Sequence, residues 1–402
     1  TWLWLPKTKV SLQTLKNSLE LVYTTGSVER VLRMWREEKD HILVPRAFID
    51  EKSLDYNIVD LRPQFPEVEF KSSIELDALT PDKTTQRDAF NDLIKSDGGL
   101  VVLACGSGKT VLMCHAMAHW GNPTLIINDK EHILHQWKEE IERFLSFDGE
   151  IGWIQGKPSK WRWEHPIVLG MLKSLSKYSD KLPAGMADWF GRVVWDEIHH
   201  LSAPTFSRTA ALFPGARYGT TATPNRPDGT DVLYRHHVGP VIHENLTQEI
   251  IPKVTFKRSH TEVDFTDIRV RRGCYSRNGE VHHRKMAAYV GTLPEEMDLC
   301  SNVIQRAVDR GRRIIALSLS RDQAIALHDR FPESGIIIGG YPKGAKDRLE
   351  VLRNHQLVFA TTDMAQEALN ERRLDSLVLL NEFSSENILQ QTVGRIQRTL
   401  SD

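Results

Sequence analysis

Several features that would assign this chain to a familiar class are missing from its sequence. No apolar run approaches the roughly 18 residues that a bilayer-spanning helix needs, so the sequence predicts no membrane span. The four cysteines lie far apart and form no Cys-x-x-Cys pair. This spacing argues against a zinc site and against a disulfide framework, and it favours a reducing cytoplasm. Internal repeats and low-complexity tracts are also absent.

The overall charge predicts no global attraction to nucleic acid, and the first residues predict no secretory signal. A formal net charge of −1 over 402 residues gives no global attraction to nucleic acid, so any such binding must come from local groups. The apolar start from Trp2 to Leu5 is too short for a secretory signal, and the first residue is Thr1 rather than Met, which leaves an earlier natural start open. The length predicts two or three domains, each with its own core.

Short apolar, β-branched runs alternate with longer mixed stretches in two parts of the chain. This rhythm is typical of buried parallel strands joined by helices, and the sequence therefore predicts two tandem α/β lobes. The first set of predicted strands covers residues 100–105, 124–128, 151–154, 166–171, 192–195 and 217–223, and the second covers 313–320, 335–339, 357–362 and 376–382.

The chain divides into four predicted segments. Residues 1–75 are expected to form a small accessory domain that could grip duplex DNA, with helical spacing over 11–21 and 28–35. The first lobe is predicted at 76–248, a linker with a basic insertion at 249–296, and the second lobe at 297–402. A solvated loop explains the excess of Lys and Arg in the linker equally well, since charged runs are usually exposed surface.

A glycine-rich segment between a predicted strand and a predicted helix has the composition of a phosphate-binding loop. It reads Gly106, Ser107, Gly108, Lys109 and Thr110. The glycines let backbone amides close around a phosphate, Lys109 supplies a positive charge, and the Thr110 hydroxyl can coordinate Mg²⁺. Leu103 occupies the position where the strict pattern has a glycine, so a chance glycine-rich turn is the alternative.

Two adjacent carboxylates end a second buried strand. Asp196 is placed to hold Mg²⁺, and Glu197 to orient and deprotonate an attacking water. The plain alternative is a pair of acids that caps the following helix. His199 and His200 follow, and with no further ligand set in view they read as structural polarity rather than as a zinc site.

A third motif lies near the end of the chain and contains Gln391, Arg395 and Arg398. Two arginines three residues apart share one helical face. A guanidinium group brought to a γ-phosphate from the second lobe would stabilise the charge that develops as the bond breaks. Ordinary surface arginines are the alternative.

These motifs occur in the order found in superfamily-2 helicases, which the chain resembles from Gln86 to Arg398. The histidines after Asp196-Glu197 and the run Thr221-Ala-Thr-Pro-Asn-Arg-Pro-Asp-Gly are most similar to the XPB and phage UvsW group of DNA translocases. The resemblance implies two RecA-like lobes with ATP and Mg²⁺ as cofactors. It also implies a monomeric motor that remodels or unwinds branched or duplex DNA in a bacterial or phage-infected cytoplasm.

The same resemblance implies roles for further residues. Gln86 would read adenine, whereas His199, Thr221 and Thr223 would couple the nucleotide state to the rest of the motor. The expected nucleic-acid contacts are Gln136, Trp137, Thr361 and Thr362.

Two departures from the family pattern leave alternatives open. Ala368 and Asn370 stand where the family has Gly and Asp, so a nucleic-acid-binding ATPase without unwinding activity stays in view. A DExH RNA helicase is the other alternative, because motors of this class act on both polymers.

Overall fold

The computed structural model describes residues 2–25, 28–49, 58–76, 84–104, 106–202, 206–226, 228–247, 253–275, 279–342, 345–362, 364, 373–381 and 393. The chain forms two compact units, Thr1–Thr247 and Gln248–Asp402. None of the described helices combines the length and the apolar character of a bilayer-spanning segment.

The first unit begins with short antiparallel strands around one helix. These elements are β1 (Trp2–Pro6), α1 (Leu12–Ser18), β2 (Glu20–Thr25), β3 (Val28–Arg33), β4 (Arg36–Glu37), β5 (His41–Pro45) and β6 (Phe70–Ser72). Strands β1, β5 and β4 form one antiparallel sheet, and β2 pairs with β3 in a hairpin.

The prediction of a helix over residues 28–35 is wrong. Val28, Val31 and Leu32 have helical spacing, but the segment pairs with β2 in antiparallel register, and Leu32 lies opposite Leu21. The strand partner supplies the backbone hydrogen bonds, and β-branched residues suit a pleated surface. The helix expected over 11–21 is present but shorter, since β2 begins at Glu20.

A large α/β body follows in the first unit. Its elements are α2 (Thr84–Lys95), β7 (Gly98–Leu103), α3 (Lys109–Trp120), β8 (Thr124–Asn128), α4 (Glu131–Phe144), β9 (Leu145–Phe147), β10 (Ile151–Ile154), β11 (Ile167–Met171), α5 (Leu172–Lys177), α6 (Met186–Trp189), β12 (Arg192–Asp196), β13 (Ala216–Thr221), α7 (Val232–Val238) and β14 (Val241–Asn245). Three-residue strand β9 pairs with β6 in antiparallel orientation.

Seven of these strands form one parallel sheet in the order β10, β11, β8, β12, β13, β7, β14. The side chains of each strand alternate between two apolar layers, as in β7, where Leu100 and Val102 face one layer and Val101 and Leu103 face the other. Both faces are covered, which is why the strands read as continuous apolar runs in the sequence.

The amino-terminal elements share one of these layers. Leu5, Leu19, Ile42 and Val44 are buried in the same cluster as Trp195 of the large sheet. The segment expected to be a separate accessory domain over residues 1–75 is therefore packed on the first α/β body within one compact unit.

The second unit contains a smaller parallel sheet. Its elements are α8 (Ile268–Cys274), α9 (His283–Gly291), α10 (Pro294–Val308), β15 (Ile314–Ser318), α11 (Arg321–Arg330), β16 (Gly335–Ile337), α12 (Ala345–Asn354), β17 (Leu357–Thr361) and β18 (Ser376–Leu379). The strand order is β16, β17, β15, β18, and all described pairs are parallel. The predicted fold class of two parallel-sheet α/β lobes is confirmed.

The stretch expected to be a linker contains two short helices, α8 and α9. Helix α9 packs on the second unit, where the Asn381 side chain reaches the Ala287 carbonyl oxygen at 3.5 Å. A Cβ atom added at Gly291 would lie 2.6 Å from the Gln323 side chain, so the end of α9 lies against α11. These contacts make the carboxyl-terminal part of the expected linker an integral layer of the second unit.

Candidate functional site

Three neighbouring strands of the large sheet end in residues singled out by the sequence. The glycine-rich loop follows β7, Thr221 ends β13, and Asp196 ends β12, and these strands are adjacent in the order β12, β13, β7. Because the carboxyl ends of parallel strands lie at one edge, the loop and the carboxylates are brought together there. Ligands of open α/β sheets bind in crevices at this edge.

The phosphate loop has the backbone that its glycines predict. Gly106 and Gly108 both have a φ of 81°, a left-handed conformation in which a side chain would be strained. Gly108 is the residue before α3, so the loop leads directly into the amino-terminal end of a helix. Free backbone amides and the helix dipole at this end attract anions.

Lys109 lies folded over the end of β7. Its Nζ atom donates to the carbonyl oxygens of Leu103 at 3.1 Å and Ala104 at 3.2 Å, and the Ser107 hydroxyl donates to the Ala104 oxygen at 2.7 Å. The two Lys109 bonds hold its ammonium group at the mouth of the loop. The oxygens of a phosphate bound there would replace the two carbonyl oxygens as acceptors for the ammonium group.

Gln86 from α2 is brought to the same loop. Its side chain is buried, with 7% of its surface exposed, and Nε2 donates to the Ser107 carbonyl oxygen at 2.5 Å. A Cβ atom at Gly108 would lie 2.3 Å from that nitrogen, so the glycine allows the close approach. Its Oε1 atom is buried without a hydrogen-bond partner among the described residues, which fits an acceptor awaiting a donor such as a base amine.

Asp196 is held by side chains from three elements. Thr220 donates to Oδ1 at 2.8 Å, and the Trp137 indole donates to Oδ2 at 2.9 Å. Asn128 Nδ2 lies 3.2 Å from the Asp196 backbone oxygen and 3.4 Å from Oδ2. A carboxylate has about four acceptor positions, so these donors fix the group while leaving it able to bind a metal-bound water.

Glu197 adopts an unusual backbone conformation. Its φ of 51° is the one positive value at a non-glycine position among the described residues. Such a conformation costs of order 1–3 kcal/mol and is concentrated at functional sites. The turn leads into a 3-10 helix over Ile198–Ser202 and brings Glu197 Oε2 to 3.3 Å from the Nδ1 atom of His199.

The residues expected to couple the nucleotide state form a connected series. His199 Nδ1 lies 3.2 Å from the Thr221 hydroxyl, which accepts from the Thr223 backbone amide at 3.0 Å. Burial, and secondarily the Arg226 guanidinium, lower the pKa of His199 to about 4. The imidazole is therefore neutral near pH 7 and acts as a hydrogen-bonding group rather than as a cation. The Arg226 guanidinium also donates to the His199 carbonyl oxygen at 3.3 Å.

His200 points along the same edge. Its ring centroid lies 4.3 Å from that of His199, and its Nε2 atom lies 3.6 Å from Asp129 Oδ1. Burial, followed by the neighbouring His199, lowers the pKa of His200. The histidine pair thus connects the residue after β8 with the turn after β12.

The placement of Trp137 does not fit the expected nucleic-acid contact. Only 1% of its surface is exposed, because it faces the sheet from α4 and its indole nitrogen is engaged by Asp196. No nucleic acid could reach the ring in this arrangement. Gln136, the preceding residue on α4, is half-buried and keeps accessible surface.

The two threonines of the second unit also differ from each other. Thr362 is buried, and its hydroxyl donates to the Ser318 carbonyl oxygen at 3.1 Å. A nucleic-acid contact by this side chain does not fit that position, which instead connects β17 with β15. Thr361 ends β17 and is half-buried. The Thr-Thr sequence alone gave no signal of which threonine faces inward.

A lysine-lined cavity was missed by sequence reasoning. It has a volume of about 380 Å³, and it is lined by Gly156, Lys157, Lys173, Ser174, Lys177 and Tyr178. The Ser174 hydroxyl accepts from the Gly156 amide at 3.0 Å, which joins the loop after β10 to α5. The lysines lie on two segments, so no run of basic residues marked them in the sequence.

This lysine cavity lies at the same sheet edge as the phosphate loop. It follows β10 and β11, whereas the loop follows β7, four strands from β11 in the sheet order. At a strand spacing of about 4.8 Å, the two features are roughly 19 Å apart. They are separate positions on one surface.

Several predicted residues lie outside the described part of the chain. These are Gln391, Arg395 and Arg398 of the third motif and the two positions that depart from the family pattern, Ala368 and Asn370.

The chain is similar to proteins named as helicases or translocases. Residues 80–226 match the family model described as "Type III restriction enzyme, res subunit". A mimivirus protein of Acanthamoeba polyphaga, named "Putative ATP-dependent RNA helicase L396", is 27% identical over 75% of this chain and 57% of its own length. The "DNA 3'-5' translocase XPB2" of Sulfurisphaera tokodaii is 31% identical over 53% of this chain and 45% of its own length. This chain thus spans about half the length of these two curated relatives.

A phage protein matches over a greater length. "Probable helicase D10" of Escherichia phage T5 is 23% identical over 98% of this chain and 82% of its own length. Among solved structures, the Hef helicase domain of Pyrococcus furiosus has a TM-score of 0.50 at 13% identity and covers 78% of this chain and 92% of that chain, a similarity of fold. The chain is thus similar to proteins named XPB translocases or helicases and to a phage helicase, in keeping with its resemblance to superfamily 2.

Proposed function

We propose that this chain is the ATP-hydrolysing motor of a helicase or translocase that remodels branched or duplex DNA. One observation carries the proposal. The phosphate loop with Lys109 and the acids Asp196 and Glu197 follow β7 and β12, which only β13 separates in one parallel sheet, and the donors around Asp196 hold the carboxylate in a fixed orientation.

The donor set fits a nucleoside triphosphate. The amides of residues 106–110 would bind the phosphates at the amino-terminal end of α3, and Lys109 would neutralise charge between the outer two phosphates. Thr110 and Asp196 would hold Mg²⁺, which supplies neutralisation of the charge that develops on the phosphate oxygens. The buried Oε1 of Gln86, which has no hydrogen-bond partner in the described part of the chain, would supply an acceptor for the base.

Glu197 would act on the attacking water. Its carboxylate takes a proton as the water oxygen bonds to the γ-phosphorus, and the bond from that phosphorus to the bridging oxygen breaks. The products are ADP and phosphate. The series of contacts from Glu197 to His199, and from His199 by a hydrogen bond to Thr221, would report the state of this reaction to the end of β13.

The lysine cavity supports a nucleic-acid phosphate backbone as the ligand that stimulates hydrolysis. Lys157, Lys173 and Lys177 lie at the carboxyl edge of the sheet, and contacts of this kind to phosphates are independent of base sequence. The XPB2 relative is named a DNA translocase. RNA is the second candidate, because the mimivirus relative is named an RNA helicase.

We also propose that one copy of the chain acts as a monomeric motor in the cytoplasm of a bacterium or of a phage-infected host. The match to the phage T5 protein over 98% of this chain supports that setting.

ATP turnover across a panel of polymers tests the proposal. Linear, forked and four-way-junction DNA should raise turnover above the rate without nucleic acid, and RNA should raise it less at the same salt concentration. The Lys109→Ala variant should lose turnover on every polymer, because the loop then has no cation for the outer phosphates. A chain that hydrolyses no ATP with any polymer would contradict the proposal, and stimulation by RNA alone would replace DNA with RNA.

A further inference from the structure

The environment of Asp196 contains a donor that the expected reaction did not use. The indole nitrogen of Trp137 bonds to Oδ2 at 2.9 Å, Thr220 bonds to Oδ1 at 2.8 Å, and Asn128 reaches both Oδ2 and the backbone oxygen. Asn128, Trp137 and Thr220 are here called the Asp196 cradle. Its members come from β8, α4 and β13.

The Asp196 cradle is buried in the core. Trp137 and Thr220 expose 1% and 0% of their surfaces, so both donors act in surroundings with little water. A hydrogen bond to a charged acceptor is about twice as strong as a neutral one, and it fixes the plane of the carboxylate. Donors behind a metal-binding carboxylate set its orientation and its affinity for the metal, and their loss costs roughly 10- to 100-fold in metal affinity or activity.

We infer that Trp137 is a positioning residue that orients Asp196 toward Mg²⁺, together with Thr220 and Asn128. The inference rests on the proposed function. It gives the indole of α4 a role at the metal rather than at the nucleic acid, and it predicts that removing the indole N–H changes metal affinity while leaving nucleic-acid affinity as it is.

Substitution of Trp137 by Phe removes the donor and keeps an aromatic ring in the core. A matched control is Trp195→Phe. Trp195 is equally buried and adjacent to Asp196 in sequence, but it packs in the opposite apolar layer. Its indole nitrogen has no hydrogen-bond partner among the described residues. The two variants therefore lose the same atoms, and only one of them loses a bond to Asp196.

Binding of Mn²⁺, followed by electron paramagnetic resonance on the protein with a non-hydrolysable ATP analogue, measures the effect without turnover. Trp137→Phe should bind Mn²⁺ about 10-fold more weakly than the wild type, whereas Trp195→Phe should match it. Duplex-DNA affinity should stay unchanged in both variants. Thr220→Val provides a second route to the same loss, through Oδ1, if Trp137→Phe does not fold.

Equal Mn²⁺ affinity in the wild type, Trp137→Phe and Thr220→Val would overturn the inference and leave the proposed function standing. Loss of DNA affinity in Trp137→Phe at unchanged Mn²⁺ affinity would also overturn it and would return the indole to the nucleic-acid surface. A wild-type chain that binds no Mn²⁺ with the nucleotide would contradict the proposed function itself.

Discussion

The two polar atoms of the Gln86 side chain have different surroundings at the phosphate loop. Nε2 donates a hydrogen bond to the Ser107 carbonyl oxygen, and Oε1 is buried with no partner among the residues that the structure describes. The two halves of the amide thus suit two tasks, which are holding the loop and accepting a bond from the base. They can be separated experimentally because only the second depends on which base is bound.

The Gln86→Ala variant should weaken ATP binding by about 2- to 12-fold, the equivalent of 0.5–1.5 kcal/mol for one hydrogen bond. If Oε1 reads adenine, the variant should also lose preference for ATP over GTP. Affinities for both nucleotides, measured with the non-hydrolysable analogues, decide this. A uniform weakening of both would limit Gln86 to holding the loop.

At the residue scale, the sequence predicted charged groups that the structure brings to one edge of the large sheet. Lys109 follows the loop after β7, and Asp196 ends β12 and is followed by Glu197; the order of parallel strands places such positions at one edge. The partners of those groups were harder to predict. Trp137 and Thr362 resembled surface contacts, but each faces the core, and the side on which a residue of α4 or β17 lies depends on packing partners distant in sequence.

Helix α5 and the loop after β10 carry the lysines of the cavity. Lys157 precedes the 3-10 turn Pro158–Lys160, and Lys173 and Lys177 lie four residues apart on α5. Residues four apart share one helical face, so both side chains can be offered to the same stretch of a polymer backbone.

The double variant Lys173→Ala, Lys177→Ala should bind duplex DNA more weakly and with a shallower salt dependence. Each lost phosphate contact lowers the slope of log affinity against log salt by about 0.9, so the expected change is about 1.8. The slope is measured by fluorescence anisotropy over a salt series. Lys71→Ala is the control, since Lys71 is exposed and pairs with Glu69 at 3.5 Å. A slope equal to that of the control would remove the cavity from the DNA surface.

At the scale of secondary-structure elements, the buried strands were the ones that the sequence could predict. The runs at 124–128 and 151–154 coincide with β8 and β10, because strands covered on both faces are apolar throughout. Strand β14 was missed, since Val241–Asn245 is half-buried and partly polar at the sheet edge. The hairpin strand β3 was misread as a helix because this hairpin is partly exposed and lacks a continuous apolar run. Val22 of β2 and Val31 of β3 remain 60% and 52% exposed.

On the scale of the whole molecule, domain boundaries depended on contacts that no local pattern contains. The first 75 residues have turn-rich sequence and short strands, yet their apolar residues complete a layer beneath the large sheet. The helix α9 likewise belongs to the second unit through its contact with Asn381. Local composition indicated separate segments, and packing joined them to the lobes.

The second unit supplies its own parallel sheet, as the sequence predicted. Ile314 and Ala316 of β15 face one apolar layer, and Ile315 and Leu317 face the other. Arg395 and Arg398 remain predictions for the catalytic contribution of this unit.

The most direct test of the account compares binding and turnover in the Glu197→Gln variant. The amide cannot accept the proton of the attacking water, but it preserves the size of the side chain. ATP with Mg²⁺ should bind within a few-fold of the wild-type affinity, while DNA-stimulated turnover should fall by about 10²- to 10⁴-fold. Wild-type turnover in this variant would contradict the assignment of Glu197 and, with it, the proposed hydrolysis site.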